Sequence, residues 1–410
     1  MIVILHATSQ RATAEQIRRD LDAAFKNAVP ITFADASSPG NWPADVSWDD
    51  LLVIVYDGTA FPDAGNKYIQ DYLDARNGKG RLLPVALDPH NRRPPQAASS
   101  IKALEFDAAA AGADGRLVKR TGAILGLRLQ QRDTKIFISY RATDGIEIAR
   151  QIESHLVGLG YPVWRDEAKE LDGETKILPG SPVQSEIDTA LDNASVVLLL
   201  DTPQAPHSPW IKHEVDTANS QLLPILPLCF RPSTDTKKGP RFRSLLDLQR
   251  WVPLPFNAPL ATPPLTDLEL DLIVSEMEAY VCEIFRRKCR VPFLVEQAFV
   301  SRSYTWSILD ARLLMCESVK NHSMRLSTKV LSHCSIFEQV HGPAMQVFSE
   351  FLTRTGRPNH ALYIYDGEEL IPEPELEEII KSSPSGNEMV ILHHQELAAL
   401  IESNFTTFTP

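Results

Sequence analysis

The sequence predicts an α/β protein built on doubly wound parallel sheets, and three observations predict it. Short apolar runs stop abruptly at polar residues: Ile2-Val-Ile-Leu5, Leu51-Leu-Val-Ile-Val-Tyr56, Lys135-Ile-Phe-Ile-Ser139 and Val196-Val-Leu-Leu-Leu200. Buried parallel strands read this way, and they deliver polar groups to the carboxyl edge of a sheet, where such folds bind ligands. Stretches with helical spacing separate the runs, so strands and helices alternate as in βαβ units. The rhythm occupies residues 1–128 and returns, more clearly, over 133–288.

In the first segment the strand Ile2–Leu5 precedes an amphipathic helix around Ala14–Phe25 and a short strand at Ile31-Thr-Phe33. The strand Leu51–Tyr56 follows, then a helix near Tyr68–Ala75 and a strand at Leu82–Leu87. A Pro-rich loop from Pro89 to Pro95 and the Ala/Gly tract Ala108–Gly115 loosen the chain before a helix at Arg116–Leu127.

The second segment reads as strand 135–139, helix 144–159, strand 162–165, a polar loop over 166–182 and helix 183–192. Strand 195–200, helix 209–219 and strand 222–228 come next, then a Pro/Lys/Arg-rich stretch from Arg231 to Arg243. A short strand near Arg250–Leu254 and the helix Thr266–Arg287 close it. That helix carries Leu268, Leu270, Ile273, Met277, Tyr280, Val281 and Ile284 at helical spacing.

The two segments correspond at an offset of about 130 to 145 residues, a domain-sized repeat. Ile2–Leu5 matches Ile136–Ile138, Phe33-Ala-Asp35 matches Trp164-Arg-Asp166, Leu51–Tyr56 matches Val196–Leu200, and Leu83-Pro-Val matches Leu223-Pro-Ile. Residues 289–410 read as a smaller α/β module, with helices at 307–319 and 340–354, strands at Ala361–Tyr365 and Met389–Leu392, and a closing helix near 395–403.

Composition narrows the chemistry. The 410 residues suffice for two to four domains, and a net charge of −12 disfavours a sequence-independent grip on nucleic-acid backbone. No window approaches the length of a membrane span, and the N-terminus lacks the basic start of a signal peptide. Five cysteines, an odd number without CxxC spacing, fit a reduced compartment better than a disulfide framework or a zinc site. The expectation is a cytoplasmic protein. His393-His394 has no third ligand at useful spacing, so a solvated strand end is favoured over a metal. The acidic run Glu368–Glu378 reads as an exposed loop.

The chemistry-bearing residues gather in the second segment. Ser139-Tyr140-Arg141 ends its first strand, with Asp144 just beyond, and Gly160-Tyr-Pro-Val-Trp-Arg-Asp166 ends its second. Leu171-Asp-Gly173 and Pro179-Gly180 lie in the loop before Glu186-Ile-Asp-Thr-Ala-Leu191, followed by Ala194–Leu200 and Ser208-Pro-Trp-Ile-Lys-His-Glu214. Trp210 and Glu214, four residues apart, share one face of a helix.

In this order and spacing the blocks resemble a Toll/interleukin-1 receptor (TIR) domain. The resemblance implies a flavodoxin-like sheet of five parallel strands. It divides into NAD-cleaving enzymes and non-enzymatic scaffolds acting through homotypic contacts. The Trp-x-x-x-Glu helix and the Tyr140-Arg141 pair resemble the enzymes, which implies an NAD+ glycohydrolase that breaks the nicotinamide–ribose bond. Glu214 is then the catalytic carboxylate. Ser139, Tyr140, Arg141, Trp210 and Asp166 are the substrate-binding residues. Nicotinamide leaves as a neutral base from a cationic ring and needs no general acid, while the ribose becomes oxocarbenium-like; one carboxylate in a water-poor cleft stabilises that charge. NAD+ is the substrate, and neither cofactor nor metal is implied. Partners implied are further copies through TIR–TIR contacts and a trigger-sensing partner, as in bacterial antiphage immunity.

The alternative readings are structural. Glu214 has an alternative reading as a solvated carboxylate on a helix capped by Ser208 with Pro209 at its first position, where replacement costs under about 0.5 kcal/mol. Trp210 reads as core packing, Arg141 as a loop ion-pair partner, Asp144 as the N-cap of the following helix and Asp166 as a loop cap. A receiver domain is excluded, since His6-Ala7 and Ser139-Tyr140 stand where its acidic pair belongs. The first segment resembles a degenerate TIR domain: it lacks the Tyr-Arg pair, and Asn66–Tyr72 carries no glutamate. As a pseudo-enzyme half it would pack on the active half or on another protomer. Residues 289–410 are expected to act in sensing or assembly.

Overall fold

The computed structural model describes residues 1–40, 50–76, 80–90, 92–106, 112, 115–126, 135–165, 183–220, 223–235, 239–242, 250–256, 260, 262–300, 304–310, 313–318, 329–336, 360–366 and 390–403. The chain divides into two compact units. The first comprises Met1–Val215, Ile225–Arg243 and Arg250–Phe285; the second comprises Asp216–Pro224, Ser244–Gln249 and Arg286–Pro410.

The first unit contains two five-stranded parallel sheets. β1 (Ile2–His6), β2 (Ile31–Asp35), β3 (Leu51–Tyr56), β4 (Arg81–Ala86) and β5 (Leu104–Glu105) stand in the order β2-β1-β3-β4-β5. Around them lie α1 (Arg11–Phe25), α2 (Asp63–Asp74) and α3 (Arg116–Gly126). The second sheet holds β6 (Lys135–Ser139), β7 (Val163–Arg165), β8 (Ala194–Asp201), β9 (Ile225–Arg231) and β10 (Val252–Pro255), in the order β10-β9-β8-β6-β7. Its helices are α4 (Ala142–Gly158), α5 (Val183–Asp192), α6 (Pro209–Ser220) and α7 (Asp267–Val300). Both sheets thus follow the flavodoxin-like order in which the first strand lies between the second and third. The central strands β3 and β8 are buried along their whole length, which is why they read as unbroken apolar runs.

Strand register relates the two sheets residue by residue. Ser139 pairs with Leu199 and faces α6, while Leu5 pairs with Ile54 and shares an apolar cluster with Tyr68 and Tyr72 of α2. Leu5 therefore occupies the place of Ser139, His6 that of Tyr140, and Ala7 that of Arg141; Ala7 and Arg141 each precede the next helical turn with extended backbone. Ile54 pairs with Pro84 and Leu199 with Pro227, so the counterpart of Leu83-Pro84-Val85 is Leu226-Pro227-Leu228 rather than Leu223-Pro-Ile. Likewise Phe137 pairs with Trp164 and Val3 with Thr32, a one-residue shift from the match read in the sequence. Repeated apolar residues leave such slips invisible until hydrogen bonding fixes the register.

The fifth strand of the first sheet, β5, was not foreseen; its two residues fall below the length of a periodic signal. Asp144 is not an N-cap but the third residue of α4, and Arg141 occupies the cap position. The last helix of the second segment continues past Arg287 to Val300, carried through Pro292 while apolar residues go on recurring at Val291, Val295 and Phe299, all buried. The boundary read at 289 falls inside it.

The two sheets form one unit through α3 and α7. A Cβ on Gly122 would lie 2.5 Å from Cys282 Sγ, and one on Gly126 would lie 2.9 Å from Val281 Cγ1, so glycine at both positions permits the close helix approach. Beside them Arg120 and Glu278 make an ion pair with both side chains 2% exposed, and the Tyr161 hydroxyl donates to Glu278 Oε1 over 3.0 Å. The Phe25 and Phe285 rings meet edge to face at 4.9 Å. Backbone joins too: Lys102 N–H donates to the Gly158 carbonyl at 3.2 Å.

The second unit holds a mixed five-stranded sheet in the order β11 (Tyr304–Asp310), β12 (Leu313–Ser318), β13 (Lys329–Ile336), β14 (His360–Asp366) and β15 (Val390–His393), closed by α8 (Leu397–Glu402). β11, β12 and β13 run antiparallel, and β13, β14 and β15 parallel. The helix expected over 307–319 is instead a strand pair, β11 and β12. Tyr304-Thr-Trp-Ser-Ile alternates with period two, and that period prevails over helical spacing once a partner strand is available. The helix expected over 340–354 lies outside the described residues.

Candidate active site

The site lies at the carboxyl edge of β6 and β8, beside the point where strand order reverses. β6 ends at Ser139, and the chain turns through Tyr140 and Arg141 into α4. β8 ends at Asp201, and a link containing the short turn Ala205–His207 leads to α6. Ser208 caps that helix: its Oγ accepts the Ile211 N–H at 3.4 Å, and Pro209, lacking an N–H, takes the first position.

The third, sixth, seventh and tenth residues of α6, Ile211, Glu214, Val215 and Ala218, are buried. A carboxylate is thereby carried inward on a face that is otherwise apolar. Glu214 is 2% exposed, and its Oε2 accepts the Ser139 hydroxyl at 2.6 Å. Ser139 is 1% exposed. A bond this short, out of water, holds the carboxyl group in one orientation. Glu214 is therefore not the solvated helix residue of the alternative reading.

The other expected residues are placed differently. Tyr140 is buried on the opposite face, packed near Gly145 of α4, and it hydrogen-bonds Arg165. Arg165 also donates to Glu153 Oε2 at 2.6 Å. Burial works against its charge, but the bonds to Glu153 and Tyr140 prevail and raise its pKa. Trp210 is 49% exposed, so it is not core packing. Arg141 donates to the Gln204 carbonyl at 2.6 Å. Asp166 lies outside the described residues. Ser139 and Glu214 are thus brought together; Tyr140 is turned away from them.

Three polar groups were underread. Thr202 Oγ1 donates to Asp144 Oδ1, and the Gln204 N–H donates to Asp144 Oδ2, each at 2.9 Å. Asp201, 0% exposed, is gripped by the Arg231 guanidinium, and the Arg241 N–H donates to Asp201 Oδ2 at 2.7 Å. Only the polar pair at the end of β8, Asp201 and the Thr202 that follows it, signalled these contacts. Cys229, paired with Asp201 in register, is a buried thiol whose pKa is pushed up to about 12 by desolvation. Among the described residues, no group of three or more His, Cys, Asp or Glu side chains is gathered as a metal site requires. Nor is any helix there long and apolar enough to cross a membrane.

The first sheet differs at the equivalent place. The same four positions of α2 are buried, and they hold Gly65, Tyr68, Ile69 and Tyr72. Tyr68 therefore stands where Glu214 does, and Leu5 where Ser139 does. An apolar cluster replaces the polar pair, and desolvation pushes the Tyr68 phenol up to about 12.

Residues 136–258 match a family model described as the TIR domain. No curated protein matches the chain. Among solved structures, the apo form of the dinucleotide forming acetyl-coenzyme A synthetase 1 of Ca. Korarchaeum cryptofilum is similar over 70% of this chain and 65% of its own, at 15% identity and a TM-score of 0.22. This chain spans less than two thirds of that protein, and so loose a superposition carries no argument about fold or function.

Proposed function

We propose that the TIR domain present over 136–258 is an NAD+ glycohydrolase, with Glu214 as the catalytic carboxylate. The observation that carries this reading is the burial of Glu214 at the carboxyl edge of β6 and β8 with its Oε2 held by Ser139. A preorganised carboxylate in a water-poor place is what an oxocarbenium-like ribose needs, because its stabilisation demands no reorganisation during the reaction. Nicotinamide departs without a proton donor, so a single acidic residue suffices. The half-exposed Trp210, one helical turn before Glu214, supplies a ring against which a base or nicotinamide can stack.

Purified protein is incubated with NAD+, and the products are resolved by chromatography beside Glu214→Gln. Nicotinamide release by the wild type and its loss in a folded Glu214→Gln supports the reading; equal release by both sinks it.

A second reading, a non-catalytic scaffold that recruits other TIR domains, is favoured by the exposure of Trp210, since exposed aromatic rings anchor protein contacts. In that case Ser139 and Glu214 are a buried structural pair. In both readings the first sheet is a degenerate half, Leu5 and Tyr68 having replaced the polar pair, and residues 289–410 serve sensing or assembly. Coupling of the activity to oligomerisation in antiphage defence in the cytoplasm belongs to the first reading.

A further inference from the structure

We propose that Asp144 and Thr202 are positioning residues for Glu214: with Arg141 they clamp the link between β8 and α6 and so set where α6 presents its carboxylate. This rests on the reading of Glu214 given above.

Both backbone polar groups of Gln204 are held by the first turn of α4 and the residue before it. Its N–H donates to Asp144 Oδ2 at 2.9 Å, and its carbonyl accepts from Arg141 Nη1 at 2.6 Å. The other Asp144 oxygen accepts the hydroxyl of Thr202, which is 0% exposed, at 2.9 Å. From Gln204 onward there is no slack. The Ala205 N–H donates to the Thr202 carbonyl at 3.2 Å, the His207 N–H to the Gln204 carbonyl at 3.1 Å, and the Ser208 N–H to the Ala205 carbonyl at 3.0 Å. Ser208 then caps α6. A continuous run of hydrogen bonds thus ties the start of α4 to the start of α6. Glu214 follows within two turns, and its 2.6 Å bond to Ser139 tolerates only small displacements of the helix. A shift of about 1 Å in a reacting group can cost about a hundredfold in rate.

The first sheet provides an internal control. Counting from Leu5 and Ser139, Gln10 is the counterpart of Asp144; counting from their strand partners Ile54 and Leu199, Asp57 is the counterpart of Thr202. Gln10 donates to Asp57, so the tie is kept with donor and acceptor exchanged. The helix downstream of it, α2, carries Tyr68 in an apolar cluster instead of a carboxylate. The tie belongs to the fold; only in the second sheet does it align a candidate catalytic group.

The test uses full-length protein and steady-state kinetics on NAD+ for Asp144→Ala, Thr202→Val, their double variant, Thr202→Ser and Gln10→Ala, with melting temperatures and amide hydrogen exchange over 205–214. Asp144→Ala and Thr202→Val are expected to lose about tenfold or more in kcat with KM changed less than about threefold. The double variant is expected to be no worse than Asp144→Ala, since both remove one network. Thr202→Ser keeps the hydroxyl and wild-type kcat, and Gln10→Ala loses stability but not kcat. Full kcat in both Asp144→Ala and Thr202→Val overturns the proposal, as does an equal loss in Gln10→Ala. Exchange separates this failure from that of the catalytic reading. Should the wild type prove inactive, faster exchange over 205–214 in Asp144→Ala still supports the clamp, and unchanged exchange overturns it.

Discussion

The Ser139 hydroxyl donates to the Glu214 carboxylate over 2.6 Å, joining residues 75 positions apart at the carboxyl edge of the second sheet. Because both side chains are buried, the bond carries more weight than one at the surface. Leaving one buried partner of such a bond unsatisfied costs roughly 1–3 kcal/mol. Under the proposed NAD+ glycohydrolase activity, Ser139→Ala is expected to lower kcat by about 10- to 100-fold, with Ser139→Thr retaining more activity than Ser139→Ala. Steady-state kinetics on the folded variants checks it, and an unchanged kcat in Ser139→Ala removes the hydroxyl from the mechanism.

Burial also revises the stability expected of Glu214 variants. As a surface residue it would tolerate replacement at under about 0.5 kcal/mol. Buried and bonded to Ser139, it leaves an unsatisfied hydroxyl when truncated, so Glu214→Ala is expected to cost about 1–3 kcal/mol. Urea denaturation measures this. Glu214→Gln keeps an oxygen to accept from Ser139 and should cost less, which makes it the cleaner probe of activity.

The joint between the two sheets predicts a steric effect. Gly122→Ala sets a Cβ against Cys282 Sγ, and α3 must move away from α7. Overpacking of this kind costs about 1–3 kcal/mol. Pairing Gly122→Ala with Cys282→Gly should recover part of the loss, and denaturation of the single and double variants tests the coupling.

Removing one partner of the buried Arg120–Glu278 pair is more severe. Glu278→Ala strands a guanidinium and a phenol inside the joint and is expected to cost about 3–5 kcal/mol, whereas Arg120→Met with Glu278→Gln should cost less than Glu278→Ala. Denaturant midpoints decide between these outcomes.

His155, near the C-terminal end of α4, predicts a dependence on pH. Burial, reinforced by Lys102 and Arg120 and opposed by Asp271 and Asp267, lowers its pKa below the ordinary 6.5. The unfolded chain therefore takes up this proton more readily than the folded one. The contribution is whole above about 6.5 and is lost as pH falls from there through the lowered folded value. Stability of His155→Gln should change less than that of the wild type between about pH 7.5 and 5.5. Equal slopes would contradict the assignment.

Much of this molecule was legible in the sequence because its signals are local. The runs at Leu51–Tyr56 and Lys135–Ser139 coincide with β3 and β6, and Val183–Asp192 coincides with α5. A strand buried on both faces must be apolar throughout, and a helix against a sheet must repeat its apolar residues every three or four positions. Ser208 and Pro209 marked the start of α6 for an equally local reason, the need to satisfy or omit the first N–H groups of a helix. The placing of Trp210 and Glu214 on one helix face followed from helical spacing, whereas the approach of that helix to the end of β6 was implied only by the resemblance to TIR domains.

Tertiary structure alone decided which side chains turn toward one another. Ser139 and Tyr140 are neighbours in the chain, but successive side chains near the end of a strand point to opposite faces, so one meets Glu214 and the other Arg165. No pattern in the sequence ranks these two for the site. The same holds for Asp144, whose oxygens accept from Thr202 and Gln204 some 60 residues away. The correspondence of Tyr68 with Glu214 emerged only when strand register and helix phase were matched. Composition and periodicity specify which elements form and which faces they bury; long-range hydrogen bonding, which depends on the packed arrangement of those faces, specifies the chemistry at their edge.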